Sequence, residues 1–363
     1  MPAGRRWVAL ALAVFAAGIG VGALIVALGG GGSGPPARAV SAADPGARRR
    51  SAGGSATRAH HRPRSRPGAQ PGSRPRGPAG SQTGHTGSRT GGAAVAGGGV
   101  VPAGARASFD ALAATLPGRV GMAVAPLGEG PVTLLGQLQA GHAWSTMKVP
   151  VLATLMADDE RTGQALSAAE RQDAQLGLEQ SDNAAAEALF GELEAGHGGL
   201  VGASQAVQAT LARAGDTATV VNTAPNDQGF TTWGQSIWSN SGEVAFYRAL
   251  AEGCLLSRSD TGYVLGLMEN VISAQRWGAG AAGYPPGLAL AFKAGWGPEA
   301  TGGYLVRQSA IVGSGNRGYV MSLLALPASG SFTDGVSLID ALARWARGHL
   351  VLAPAPGRSC PAR

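Results

Sequence analysis

The chain has 363 residues and a formal net charge of +7, and it is rich in glycine (59) and proline (22). Residues 1–106 contain 14 arginines and one acidic residue, whereas residues 107–363 contain 15 basic and 21 acidic residues. Because the positive charge lies outside the part predicted to fold, it does not indicate nucleic-acid binding, and we predict no nucleic-acid partner.

The amino terminus resembles a membrane segment. Arg5 and Arg6 precede Trp7–Leu28, a run of 22 uncharged residues that would be about 33 Å long as a helix. We therefore predict a membrane anchor at residues 1–28 and a single-pass protein of the cell membrane whose folded domain lies outside the cytoplasm. A cleaved signal peptide is the alternative, and it would also export the domain.

Residues 29–106 form a low-complexity segment that contains stretches such as GGGGSGPPARAV and HHRPRSRPGAQPGSRPRGPAG. This segment has too little apolar surface to offset the entropy lost on ordering. We predict a disordered linker that holds the folded domain away from the membrane.

From residue 107 onward the sequence shows regular hydrophobic periodicity. A helix is predicted at 108–116, two strands at 119–127 and 132–139, three further strands at 287–296, 304–313 and 318–327, and a final helix at 332–350. Between the two groups of strands the pattern is helical, with amphipathic runs at 145–157, 168–178, 184–195, 199–213, 241–252 and 260–271.

This order predicts an α/β (α+β) fold in residues 107–353, followed by a tail at 354–363. Five antiparallel strands would form the sheet, with the terminal helices on one face. The helical lobe, inserted between strands 2 and 3, would cover the other face.

Metal and cofactor sites find no support in the sequence. The six histidines show no ligand spacing, and the two GxGxxG matches do not lie between a strand and a helix. We therefore predict no cofactor and no metal. The two cysteines, Cys254 and Cys360, could form a disulfide outside the cytoplasm, with two free thiols as the alternative.

Only two lysines occur in the chain, and both lie in short elements that can support catalysis. Ser145 and Lys148 form an S-x-x-K element, and a helix would place them on one face. A serine needs a base to remove its proton, and partial burial can lower a lysine pKa enough for it to serve. Arginine cannot replace it, because its pKa is too high.

Two other elements are ambiguous when taken alone. Ser181-Asp182-Asn183 can relay a proton and hold a substrate carbonyl, but these residue types are also ordinary helix N-caps. Lys293-Ala294-Gly295 can bind a substrate carboxylate on a strand edge, but an edge-strand lysine is common in proteins without such a site.

In the order S-x-x-K, S-D-N and K-x-G, these elements resemble the active-site motifs of class A β-lactamases and penicillin-binding proteins. The resemblance implies that Ser145 is the acylated nucleophile, Lys148 its base, Ser181 a proton relay, and Asn183 a substrate-orienting residue. It also implies that Lys293 attracts the substrate carboxylate. The backbone N–H groups of Ser145 and Trp296, beside Gly295, would form the oxyanion hole, and Arg307 could clamp the carboxylate.

Two departures from the family pattern affect turnover. The stretch 220–233, which corresponds to the Ω loop, contains no glutamate, and Asp227 is its only acidic residue. Ala294 replaces the hydroxyl residue that usually follows the second lysine. Both changes disfavour efficient β-lactam hydrolysis.

The sequence thus leaves two kinds of function open. The first is a membrane-anchored, extracytoplasmic serine hydrolase that acts on a β-lactam or a related amide or ester, such as a peptidoglycan-like peptide, through an acyl-serine intermediate. The alternative is a penicillin-binding or D-Ala-D-Ala peptidase-like protein with slow turnover, or a non-catalytic cell-wall-binding module.

Overall fold

The computed structural model describes residues 99–224, 229–299, 302–357 and 359–360. The predicted anchor at 1–28 and nearly all of the linker lie outside these residues. Within the described ranges, no helix combines the length and apolar character needed to cross a bilayer.

One antiparallel sheet organises the fold. Its strands are β1 (Gly118–Pro126), β2 (Thr133–Gly136), β5 (Leu290–Pro298), β6 (Tyr304–Ser314) and β7 (Arg317–Pro327). They lie in the order β2-β1-β7-β6-β5, so the amino-terminal strand β1 pairs with the carboxy-terminal strand β7 at the centre of the sheet. A separate two-stranded ribbon, which the sequence did not predict, joins β3 (Ala140–His142) to β4 (Ile237–Ser239).

The helices cover both faces of this sheet. They are α1 (Ala105–Thr115), α2 (Lys148–Thr162), α3 (Ala168–Glu179), α4 (Asn183–His197), α5 (Leu200–Arg213), α6 (Asn240–Ala251), α7 (Arg258–Glu269) and α8 (Phe332–His349).

Alternation along β1 shows how the two cores form. Met122 and Val124 belong to the core shared with α1 and α8, whereas Ala123 and Ala125 belong to the core of the helical lobe. Successive side chains of a strand point to opposite faces, so a strand buried on both faces supplies both cores. The predicted five-stranded sheet, terminal helices and inserted helical lobe are confirmed.

The packed region extends beyond both ends of the predicted domain, 107–353. Val100 and Ala105 are buried in the core shared by α1 and α8. At the other end Ala355 is buried and Pro354 forms an isolated bridge with Arg317. Cys360 is disulfide-bonded to Cys254, which fixes the tail to the helical lobe.

Candidate active site

The S-x-x-K element lies where a short 3-10 turn enters a helix. Trp144–Met147 form the turn and Lys148 is the first residue of α2, so Ser145 precedes the helix predicted at 145–157. Trp144, directly before the serine, has φ of 49°, a conformation that costs energy in a bulky residue. Such strain persists only where surrounding contacts hold it in place, and it concentrates at functional sites.

Strand β5 supplies those contacts. A Cβ at Gly297 would come within 2.5 Å of the Trp144 indole, and a Cβ at Gly295 would come within 3.0 Å of the backbone nitrogen of Ser145. Only glycine at both positions allows the strand edge to approach the turn this closely.

Lys148 is almost completely buried, and four acceptors surround its ammonium group. Nζ donates to the Ser181 carbonyl (2.6 Å), the Asp182 carbonyl (3.1 Å), Asn183 Oδ1 (2.8 Å) and, more weakly, Ser181 Oγ (3.4 Å). Burial lowers the pKa of Lys148 to about 7, although the nearby Asp182 and Glu187 carboxylates oppose this effect. A lysine with this pKa can take a proton from a hydroxyl at neutral pH.

The S-D-N element caps helix α4 and contacts both lysines. Asp182 is the N-cap of α4, and its carboxylate accepts from the Ala185 backbone N–H at 2.9 Å. Ser181 has φ of 59°, a left-handed conformation that is uncommon outside glycine. Its hydroxyl accepts from both lysine amines: Lys293 Nζ lies 2.8 Å away and Lys148 Nζ 3.4 Å away.

Lys293 lies on β5 and is also buried. Its amine donates to Ser181 Oγ and to the Ala294 carbonyl at 3.2 Å. Burial lowers its pKa well below the usual lysine range, and the charge of Lys148 adds to this effect. The two lysines, far apart in sequence, therefore share one serine hydroxyl.

A small pocket of about 80 Å³ opens at this point. Its lining contains Ser145, Ser181 and Asn183 together with four residues that narrow it: Trp144, Phe230, Thr231 and Trp296. Trp296 was predicted as an oxyanion-hole residue, and it lies in the lining beside Ser145. A larger cavity of about 630 Å³ along α2 and α5 contains none of the predicted site residues, so its size does not identify it as the active site.

Arg307 does not lie in the pocket, which corrects its predicted role as a carboxylate clamp. Its side chain is fully buried, donates to the Gly141 and His142 carbonyls at 3.0 and 2.9 Å, and forms a short ion pair with Glu243. Arg307 is paired with Gly295 across β5 and β6, and paired residues share a face of the sheet. The Arg307 guanidinium therefore lies under the backbone of Gly141 and His142, the segment that leads to Ser145.

Trp144 and Phe230, two aromatic residues of the pocket, were not predicted as site residues, whereas Trp296 was predicted only through its backbone N–H. Trp144 and Phe230 pack with ring centroids 4.9 Å apart on one side, and Trp296 contacts Phe332 at 5.1 Å. Aromatic residues in a sequence more often belong to the hydrophobic core than to a binding site. Only their position in the pocket lining shows that they narrow the pocket.

No carboxylate lines the pocket among the residues that the structure describes. Asp227, the only acidic residue of the stretch 220–233, lies outside the described ranges. Among the described residues, Asp182 and Glu187 interact electrostatically with Lys148, Asp182 more strongly, and neither was among the predicted site residues.

No protein-family model and no curated protein sequence matches the chain. Several solved structures do match the chain. The class A β-lactamase from Mycobacterium abscessus matches with a TM-score of 0.54 at 18% identity, covering 67% of this chain and 97% of that chain.

Two further solved structures give the same result. A β-lactamase from Xanthomonas campestris matches with a TM-score of 0.53 at 18% identity, covering 68% of this chain and 97% of that one. The chromosome-encoded β-lactamase of Vibrio parahaemolyticus matches with a TM-score of 0.52 at 17% identity, covering 68% of this chain and 98% of that one. At these identities the likeness concerns the fold, and the chain has a β-lactamase-like fold.

Proposed function

We propose that the protein is a serine hydrolase that opens a β-lactam, or a related amide or ester such as a peptidoglycan-like peptide, through an acyl-enzyme on Ser145. The observation that carries the proposal is the shared contact of Lys148 and Lys293 with Ser181 Oγ, beside the pocket that Ser145 lines.

Each group has a defined task in this proposal. Neutral Lys148 takes the Ser145 proton as Oγ attacks the carbonyl carbon, and Ser181 passes a proton to the leaving nitrogen or oxygen. The backbone N–H groups of Ser145 and Trp296 stabilise the oxyanion. Asn183 orients the substrate, and Lys293 attracts its carboxylate through charge.

We further propose that residues 1–28 anchor the chain in the cell membrane, with the hydrolase domain outside the cytoplasm. The uncharged run Trp7–Leu28 supports the anchor. The disulfide between Cys254 and Cys360 supports the location, because disulfides persist mainly in oxidising compartments.

A second candidate is a penicillin-binding protein that is acylated but turns over slowly. The absence of a carboxylate from the described pocket lining favours it, since deacylation of an ester by water needs a base. Both candidates share the acylation step and differ in the lifetime of the adduct.

The test is to incubate the full chain with a chromogenic β-lactam and follow the protein mass over time. A transient adduct at Ser145 with continuous product release indicates a β-lactamase, and a persistent adduct indicates the second candidate. Ser145→Ala should form no adduct, and Lys148→Arg should acylate at least 100-fold more slowly, a typical cost of losing a base. An unmodified wild-type protein would contradict both candidates.

A further inference from the structure

The proposed acyl-enzyme raises the question of which group activates water to release it. A general base must be a proton acceptor close to the reacting centre. Burial lowers the pKa of Lys148, and two carboxylates counteract this effect: those of Asp182 and Glu187. The Asp182 carboxylate is already bound to the Ala185 N–H as the cap of α4, which leaves Glu187.

Glu187 is directed to this region by the geometry of α4. It follows Asn183 by four residues, so both side chains lie on one face of the helix. Asn183 Oδ1 accepts a hydrogen bond from Lys148 Nζ at 2.8 Å, and this contact fixes that face toward the lysine. Glu187 therefore lies one helical turn beyond Asn183, on the face of α4 that Asn183 turns toward Lys148.

The surroundings of Glu187 suit a base. Its side chain is exposed at the surface of α4, so water can reach it, and the described residues offer it no salt-bridge partner within 4.0 Å. Partial desolvation raises the pKa of its carboxyl, Glu194 raises it further, and Trp233 and Lys148 lower it.

Trp233 links this carboxylate to the stretch that corresponds to the Ω loop. Its indole is buried against Phe190 of α4, with ring centroids 5.7 Å apart, and it follows pocket residues Phe230 and Thr231 by a few positions. The indole N–H has no well-aligned hydrogen bond among the described residues, while its interaction with Glu187 lowers the pKa of that carboxyl. The Trp233 indole therefore favours the anionic form of the Glu187 carboxyl, which is the form that accepts a proton.

We propose that Glu187, on helix α4, is the general base for hydrolysis of the acyl-enzyme and supplies the carboxylate that residues 220–233 lack as glutamate. This inference rests on the proposed acyl-serine function. The Glu187 carboxylate takes a proton from water as the water oxygen bonds to the acyl carbonyl carbon. The bond between that carbon and Ser145 Oγ then breaks, Oγ regains the proton through Lys148, and the carboxylic acid product leaves.

The test compares Glu187→Gln with Glu192→Gln in the full chain, using a chromogenic β-lactam. Both variants remove one negative charge from an exposed position of α4, and Glu192 lies five residues beyond Glu187, on a different face of the helix. We expect Glu187→Gln to acylate at a rate within about fivefold of wild type, and its adduct to hydrolyse about 10²- to 10⁴-fold more slowly. Glu192→Gln should behave as wild type, and Glu187→Asp should recover part of the deacylation rate.

A pH profile separates a base from a merely structural residue. Deacylation by the wild type should fall on the acid side as Glu187 becomes protonated, with Lys148, Asp182 and Glu194 as the neighbouring charges. The fall in deacylation rate on the acid side should be absent in Glu187→Gln.

Equal adduct lifetimes in the wild type and Glu187→Gln would overturn the inference about Glu187. An equal loss of the acylation and deacylation rates in Glu187→Gln would also overturn it. Either result would leave the acyl-serine proposal standing. A wild-type protein that forms no adduct at Ser145 would overturn the proposed function and, with it, this inference.

Discussion

The two lysines owe their chemistry to burial. Lys148 and Lys293 are each at most 2% exposed, and they are held by oxygen acceptors in place of carboxylate partners in direct contact. A buried ammonium without a carboxylate in contact loses hydration that the acceptors replace only in part, so the pKa falls. An arginine at either position would stay charged at all accessible pH values.

We expect the rate of acylation to rise with pH through a midpoint near 7. The proposed proton acceptor is neutral Lys148, whose pKa is lowered to about 7, so the reactive form is lost as pH falls below that value. Each unit below the midpoint should cost about a factor of ten, because the neutral fraction falls tenfold. Single-turnover acylation measured by mass spectrometry from pH 5 to 9 would check this. A flat profile would contradict the assignment of Lys148 as the base.

At the scale of elements, the site depends on how closely an edge strand approaches a turn. Strand β5 is at the edge of the sheet, and Gly295 brings its backbone against the turn Trp144–Met147. A Cβ there would meet the Ala143 carbonyl and the nitrogens of Ser145 and Thr146 at 2.9 to 3.0 Å. All three are backbone atoms, which cannot rotate away as a side chain could.

Gly295→Ala should therefore slow acylation by about 10²- to 10³-fold, because it displaces the Ser145 N–H from the oxyanion position. Gly262→Ala on α7 is the matched control: a Cβ there meets no atom within 4 Å, and the helix should become slightly more stable. Acylation rates and circular dichroism of both variants would check this. A Gly295→Ala variant that acylates at the wild-type rate would contradict the close approach.

At the scale of the whole molecule, Arg307 connects the parts around the site. From β6 it reaches the carbonyls of Gly141 and His142 on β3 and the carboxylate of Glu243 on α6. Ser322 of β7 also donates to this carboxylate through a short hydrogen bond. The sheet, the ribbon and the helical lobe therefore meet at one buried ion pair.

Arg307→Met should lower the free energy of unfolding by about 3–5 kcal/mol, because it leaves the Glu243 carboxylate buried without a counter-charge. The double variant Arg307→Met/Glu243→Gln should recover part of this loss, since the second change removes the uncompensated charge. Urea denaturation of the wild type and both variants would check the prediction. A loss below about 1 kcal/mol in the single variant would show that the pair contributes little.

Local patterns account for what the sequence predicted. The periods of helices and strands are set by side-chain direction, so α3 and β7 lie within two residues of the predicted ranges. The S-x-x-K, S-D-N and K-x-G elements are also local, since each spans a few residues. Their order along the chain therefore indicated one site, and the fold brings Lys148 and Lys293 together at Ser181.

Contacts between distant segments were decided only by the tertiary structure. The register of β6 against β5 turned Arg307 into the interior, and a slip of one residue would have reversed that face. The pairing of β3 with β4, the packing of Trp144 against Gly297 and the contact of Lys148 with Asn183 join residues far apart in sequence. The sequence determined which chemical groups the protein carries. Packing decided which of them are buried, and burial sets the charge and reactivity of an ionisable group.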